Sequence, residues 1–155
     1  MSLVEQRLGD LGHAVPDVTP PVAAYVPAVW TGTYIYTSGQ LPMRSGSLLA
    51  TGKVGAEISP EDAKELAALC ALNGIAAIRS VIGDLDRVVR VVKVVGFVAS
   101  DPGFTGQPGV INGASELLVA AFGESGRHAR SAVGVAVLPL DAPVEVELIV
   151  EVSAD

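Results

Sequence analysis

Between Val144 and Val152 apolar and acidic positions alternate without a break. Val144, Val146, Leu148, Val150 and Val152 fall on one side, and Glu145, Glu147, Ile149 and Glu151 on the other. A period of two is that of a half-buried strand. The stretch before it, Ala129-Arg130-Ser131-Ala132-Val133-Gly134-Val135-Ala136-Val137, also reads as a strand. If residues 139–142 form the loop between them, a hairpin register pairs Val137 with Val144, Val135 with Val146 and Val133 with Leu148, matching their apolar sides. That register puts Arg130, Ala132, Gly134 and Ala136 on the glutamate face, and Arg130 then has three possible states. It is solvated, paired across the strands with Glu151, or waiting for an anionic ligand.

The rest of the chain punctuates itself. Leu3, Val4, Leu8 and Leu11 have the spacing of a short amphipathic helix over 2–11. Pro16, Pro20 and Pro21 then dictate an extended connection to Tyr25. Two β-rich runs flank a turn at Trp30-Thr31-Gly32-Thr33, the second being Tyr34 to Ser38, and after the turn at 44–47 a short strand is predicted at Leu48 to Ala50. Ser59-Pro60-Glu61-Asp62 has the chemistry of a helix start: a capping serine, proline in the first turn, and acids at the positive end of the dipole. That helix should run to Ile82 and stop at Gly83, burying Ala63, Leu66, Ala67, Cys70, Gly74, Ala77, Ile78 and Val81. Val88 to Ala99 reads as a central strand, 100–109 as a loop, and Val110 to Phe122 as a second core helix. The order β-β-β-α-β-α-β-β predicts an α+β domain, one mixed sheet with two helices packed on one face. The other face must also find cover, and an oligomer with partly polar clefts would supply it.

Composition narrows the function. The 155 residues suit one domain, with residues 1–21 an N-terminal extension and 22–155 the domain itself. Half the residues are hydrophobic and 5% aromatic, so the core is built mainly of Val, Ala, Leu and Ile. A net charge of −7 disfavours a nucleic-acid surface, and Arg87, Arg90 and Lys93 look like a solvated edge. The single cysteine, Cys70, lies in an apolar helical run and reads as core. Two histidines without clustering make a structural zinc site unexpected, and no metal is predicted. No apolar run is read as a membrane span and no signal peptide is evident, so a cytoplasmic protein is expected.

Three stretches together carry a resemblance. Tyr34-Ile35-Tyr36-Thr37-Ser38-Gly39-Gln40-Leu41-Pro42, Ala129-Arg130-Ser131 and Val144-Glu145-Val146-Glu147 resemble signatures of the RidA/YjgF family, the reactive intermediate deaminases, and Asp84 to Lys93 resembles its entry into the central strand. The similarity spans roughly residues 22–152. It implies a chorismate-mutase-like fold and a homotrimer with clefts between subunits. It also implies hydrolysis of reactive enamines and imines to 2-keto acids and ammonium, with no metal or organic cofactor. Arg130 falls where the family holds the substrate carboxylate, Tyr25 on its cleft tyrosine, Ser38 and Gly39 on its Ser-Gly, and Glu145 on the acid that positions water; Asn112 is a candidate for its helix asparagine. The chain departs from the pattern at Ala23 and Ala24 (for Gly-Pro), at His128 (for Pro) and at Ala132 (for Cys), which marks a divergent branch.

The residues then divide by role. A guanidinium grips a carboxylate in a fork that lysine cannot copy. Glu145 either orients water or is structural, since Glu147 and Glu151 share its face. Tyr25 closes the cleft or caps a subunit contact, and Ser38 ends a strand or binds a polar group. His128 shares the face of Arg130 if the strand has begun there and is a loop residue otherwise, whereas His13 is inert in a polar loop. No serine–histidine–acid spacing stands out. The expected reaction is attack of a Glu145-held water on the C=N carbon of a 2-imino acid anchored by Arg130, followed by loss of ammonia. A non-catalytic module binding small carboxylates in the same cleft and an endoribonuclease inhibiting translation are the alternatives.

Overall fold

A computed structural model describes residues 1–18, 21 and 23–154. Helix α1 (Leu3–Asp10) opens with a reciprocal cap: the Ser2 hydroxyl accepts from the Glu5 amide at 3.1 Å, and the Glu5 carboxylate accepts from the Ser2 amide at 2.8 Å. Val4 and Leu8, four residues apart, are buried, whereas Leu3 and Leu11 of the expected stripe lie off that line and are exposed. Of the three prolines expected to extend the connection, Pro20 lies outside the described residues, and Pro16 and Pro21 are in no regular element.

Strands β1 (Ala28–Thr31) and β2 (Tyr34–Thr37) form a hairpin around Gly32, whose φ of 58° suits a residue without a Cβ. The predicted strand at Leu48 to Ala50 is corrected to β4 (Ser47–Leu48), which pairs only with β3 (Met43–Arg44), outside the main sheet. Helix α2 (Pro60–Ile82) starts and stops where the sequence places it, with the Ser59 hydroxyl accepting from the Asp62 amide at 3.1 Å. Its buried surface is wider than a stripe, taking in Leu69, Leu72 and Ile75, while Val81 is exposed. By length and apolarity α2 does reach the dimensions of a membrane span, contrary to the sequence reading, but it packs on α3 and the sheet as a core helix. Strand β5 (Val88–Ala99), helix α3 (Gln107–Phe122), strand β6 (Ala129–Val135) and strand β7 (Val144–Val152) complete the chain.

The main sheet has the order β1-β2-β7-β5-β6. This overturns the hairpin register expected for the last two strands. β5 lies between β6 and β7, parallel to the first and antiparallel to the second. The cause is α3, which returns the chain from β5 to lie beside it in the same direction, as a helical crossover does. An apolar match between β6 and β7 misleads because β5 carries an equally valine-rich face.

The change of neighbour reverses one face. Arg130, Ala132 and Gly134 stand opposite Val94, Gly96 and Val98 of β5. Val94 and Val98 are fully buried, and a Cβ on Gly96 would stand 2.5 Å from Ile111 of α3, so this row faces the helices. Arg130 is therefore on the helical face and not on the glutamate face, and an Arg130–Glu151 pair is excluded. On β7 the expected alternation holds, with Val144, Val146, Leu148, Val150 and Val152 buried under the helices. β5 is internal to the sheet, so these cations do not mark a sheet edge: Arg87, in the turn before β5, has its guanidinium 5.2 Å from the Trp30 ring centre, and Arg90, which is solvent-exposed, donates to the Arg127 carbonyl. The face away from the helices carries Tyr34, Tyr36 and Val133, all substantially exposed.

Candidate functional site

Arg130 sits on β6, an edge strand, and reaches across to α3. Its Nη1 donates to Asn112 Oδ1 at 2.8 Å and to Ser115 Oγ at 3.2 Å, and its Nη2 donates to the Pro108 carbonyl at 3.3 Å. All three acceptors are neutral, and no carboxylate among the described residues pairs with Arg130. They consume three of the five guanidinium N–H groups. Among the described residues the Nε–H and one Nη2–H have no partner, and Nε and Nη2 share one edge of the fork. The guanidinium is thus held in place with its charge uncompensated, which suits an anion arriving from outside. Pro108, in the first turn of α3, contributes its backbone carbonyl, and Asn112 and Ser115, three apart, share a helix face.

His128 continues the same array. Its Nδ1 is 2.6 Å from the Gly126 carbonyl, which can only accept, so Nδ1 carries hydrogen; its Nε2 is 2.8 Å from Ser115 Oγ. Burial first, and the neighbouring Arg130 charge as well, push the imidazole pKa below its usual value, against the opposing pull of the Gly126 carbonyl. Ser115, Val119, Arg127, His128 and Arg130 line an open depression of about 380 Å³. Sequence reading found Arg130 and Asn112 but missed Ser115. The signal was present: Ser115 lies one turn beyond Asn112, and His128 lies two residues before Arg130.

A second cluster forms around Glu145 on the other face of the sheet. Glu145 stands opposite Phe97 of β5, and its carboxylate lies against Gly39, where a Cβ would come within 2.0 Å of Oε1. Only glycine permits that approach. Burial, and then Glu147, raise the Glu145 pKa above the ordinary carboxylate value. Ser38, next to Gly39, donates its hydroxyl to the Val26 carbonyl at 2.6 Å and is held to the segment that carries Tyr25, itself 59% exposed. Ser38 thus follows the end of β2 and ties the Tyr25 segment to it, beside Gly39 in the chain.

The expected residues thus form two groups, Arg130 with Asn112, and Glu145 with Gly39, Ser38 and the Tyr25 segment. Within one chain they do not meet. Val133, not Arg130, shares the row of Glu145 and Phe97, so the two groups lie two strand spacings apart across the sheet, roughly 10 Å, three residues or roughly another 10 Å apart along it, and on opposite faces. Cys70 is buried in α2 against the Val144 carbonyl, with its thiol pKa raised by burial, and takes no part. No group of three or more His, Cys, Asp or Glu side chains placed to hold a metal occurs among the described residues.

Comparison with known proteins agrees on one lineage. Residues 5–152 match the family described as "YjgF/chorismate mutase-like, putative endoribonuclease". The chain is 44% identical over 151 residues to protein TCP17 of Trypanosoma cruzi, covering 97% of this chain and 94% of that one. Its fold matches the crystal structure of Atu1372 from Agrobacterium tumefaciens with a TM-score of 0.91 at 46% identity, covering 98% and 94% of the two chains. Against E. coli TdcF with bound serine the TM-score is 0.62 at 27% identity, with 86% and 92% covered.

Proposed function

The chain belongs to the YjgF/chorismate-mutase-like family, and from that premise we propose that it hydrolyses 2-imino acids to 2-keto acids and ammonium in a cleft shared by two copies of the chain. The observation that carries the reading is Arg130, a cation oriented by three neutral acceptors with two N–H groups left over. A buried or half-buried cation without an acid is costly unless it is solvated or meets an anion. A carboxylate on the Nε–Nη2 edge supplies that anion. That the TdcF structure contains serine, a small carboxylate, is in keeping with this ligand class.

The second half of the chemistry comes from Glu145. A carboxylate whose pKa is raised is a better proton acceptor, so Glu145 from a second copy accepts a hydrogen bond from the attacking water. Water adds to the C=N carbon as the imine nitrogen gains a proton. The carbinolamine then collapses, releasing ammonia and leaving the keto acid. Fixing the carboxylate brings the electrophilic carbon to the water, and orientation supplies much of the acceleration. A homotrimer, as in the family resemblance, is the assembly that would bring the two halves together, covering the exposed tyrosine face at the same time.

The endoribonuclease reading, which rests on the family's description, is less favoured: the site offers a single imidazole, and the chain carries a net charge of −7. The test is release of 2-keto acid from dehydratase-generated imines. Acceleration by the protein, lost in Arg130→Ala, supports the reading, and equal rates with and without protein sink it.

A further inference from the structure

Ser115 is fixed between a cation and a base. Its oxygen accepts from Arg130 Nη1 at 3.2 Å, and the same oxygen lies 2.8 Å from His128 Nε2. Because Nδ1 holds its hydrogen on the Gly126 carbonyl, the neutral ring can only accept at Nε2. The hydroxyl hydrogen of Ser115 therefore points at Nε2, and the bonds run in one direction, Arg130 to Ser115 to His128 to Gly126. Protonating the ring reverses the middle bond: Nε2–H then donates to Ser115 Oγ, and the hydroxyl hydrogen turns away from the ring. From Ser115 the open direction is the depression lined by Arg130.

We propose that Ser115 and His128 are a proton relay for the carboxylate ligand held by Arg130, with Ser115 the catalytic residue that touches it and His128 a positioning residue acting through Ser115. The inference rests on the proposed imine hydrolysis and adds the source of the proton that the departing nitrogen needs. In the free protein Arg130 opposes a second positive charge on His128. Burial is the larger cause of the lowered pKa and Arg130 the smaller; a bound carboxylate offsets the Arg130 charge and sets an anion near the ring, which moves Nε2 toward protonation. In the carbinolamine the Ser115 hydroxyl proton passes to the amino nitrogen while the Nε2 proton passes to Ser115 Oγ. The C–N bond breaks, its electron pair leaving with ammonia. The carbinolamine hydroxyl loses its proton to Glu145 or to water as the C=O bond forms, and the neutral ring is reprotonated from solvent for the next cycle.

The charged groups around the ring fit this assignment. Arg130 faces it from β6. Arg127, on the chain leading into β6, pairs with Glu124 of the turn after α3 at 3.4 Å, and Arg90 of β5 is held on the Arg127 carbonyl. Glu116 of α3 is bound to Lys64 of α2. No carboxylate among the described residues is hydrogen-bonded to His128, so the ligand is the anion that can change its charge.

The experiment follows the His128 ring by NMR in the full-length protein, titrated from pH 8 to 5 with and without saturating 2-ketobutyrate. It is read together with the pH dependence of kcat and KM for wild type, Ser115→Ala and His128→Gln. The ring midpoint should lie below the ordinary histidine value in the free protein and rise on binding. His128→Gln should lower kcat at least tenfold, leave KM within about twofold and abolish the wild-type ionisation, because its amide can hold Ser115 but cannot cycle a proton. Arg130-dependent binding that leaves the ring midpoint unmoved, or a His128→Gln enzyme with the wild-type profile, overturns the relay alone. Absence of Arg130-dependent binding overturns the relay and the imine-hydrolysis reading together. A folded Ser115→Ala enzyme with unchanged kcat likewise removes Ser115 from the chemistry.

Discussion

Arg130 and Glu145 stand on opposite faces of one sheet, with β5 between their strands. Each is built for a polar role: Arg130 has donors to spare, and Glu145 is a carboxylate kept less acidic than usual. A single copy of the chain cannot place both on one small ligand. The functional unit is therefore expected to draw Arg130 from one copy and Glu145 from another, which makes the site's composition testable by mixing.

Arg130→Ala and Glu145→Gln should each be nearly inactive alone. When the two variants are refolded together at equal concentration, activity should return to about a quarter of wild type, since random mixing puts both intact groups in about one cleft in four. The measurement is keto-acid release by the mixture against each parent. Failure of the mixture to exceed its parents, with hetero-oligomers present by native mass spectrometry, would place both residues in one subunit's site or neither.

Arg130→Lys separates geometry from charge. Lysine keeps the cation but cannot hold Asn112, Ser115 and the Pro108 carbonyl while presenting a two-point fork. A charge-assisted hydrogen bond contributes about 1.5–3 kcal/mol, so loss of one arm should weaken carboxylate binding by roughly 10- to 150-fold. Isothermal titration with 2-ketobutyrate reads this directly. Equal affinity would mean that simple charge attraction suffices.

Gly39→Ala should act on Glu145 from a distance of one side chain. The new methyl would occupy the position of the Glu145 carboxylate, which is the movable end of its side chain and can swing aside. Stability should fall by about 1 kcal/mol, the low end of the usual range for overpacking because the carboxylate can move aside, while turnover falls at least tenfold. Thermal unfolding and kcat together check it; loss of turnover with a large loss of stability would instead signal general disruption.

Much of the fold was legible because local chemistry decides it. Ser59-Pro60 starts α2, Gly83 stops it, and the run of valines ends at Ala99, as the strand does. The error lay in strand order. Alternation tells which side of β6 is apolar, but Arg130, Ala132 and Gly134 are small or polar and still face the helices, because α3 supplies their partners. No pattern within β6 and β7 shows that β5 will insert between them. For the same reason the site was legible as residues but not as an arrangement: Ser115 and His128 are 13 positions apart and meet only through the turn that ends α3.

Glu145 predicts a pH dependence of stability. Its folded pKa is raised above the ordinary 4.5, so the native state holds its proton more tightly than the unfolded chain does. Relative stability is therefore greatest below 4.5 and is lost as pH rises from there through the folded value. Glu145→Gln should stabilise the protein at neutral pH, with the difference vanishing in acid. Urea midpoints at pH 4 and pH 7 measure it, and a destabilised variant at pH 7 would show that the charged carboxylate is paired in the assembly.

Glu5 has the opposite sign and bears on the site through α3. Its pKa is lowered to about 2, chiefly by the Ser2 amide and then by Arg79, which lies 2.9 Å away. This contribution is complete above the ordinary 4.5 and is lost as pH falls through about 2. The helix it caps is tied to α3, where Arg7 donates to the Ala121 carbonyl, and to the turn before β5, where Asp86 accepts from the Leu3 and Val4 amides. Removing Ser2 Oγ with Ser2→Ala should cost about 1 kcal/mol at pH 7, the usual cost of losing a cap. Glu5→Gln should destabilise at pH 7 and flatten the acid limb of the stability curve between pH 4.5 and 2. Hydrogen exchange should then quicken in α1 and at the Ala121 end of α3, while Asn112 and Ser115, held by Arg130, stay protected. Exchange that quickened equally along the whole of α3 would show instead that α1 supports the helix carrying the site and not merely its far end.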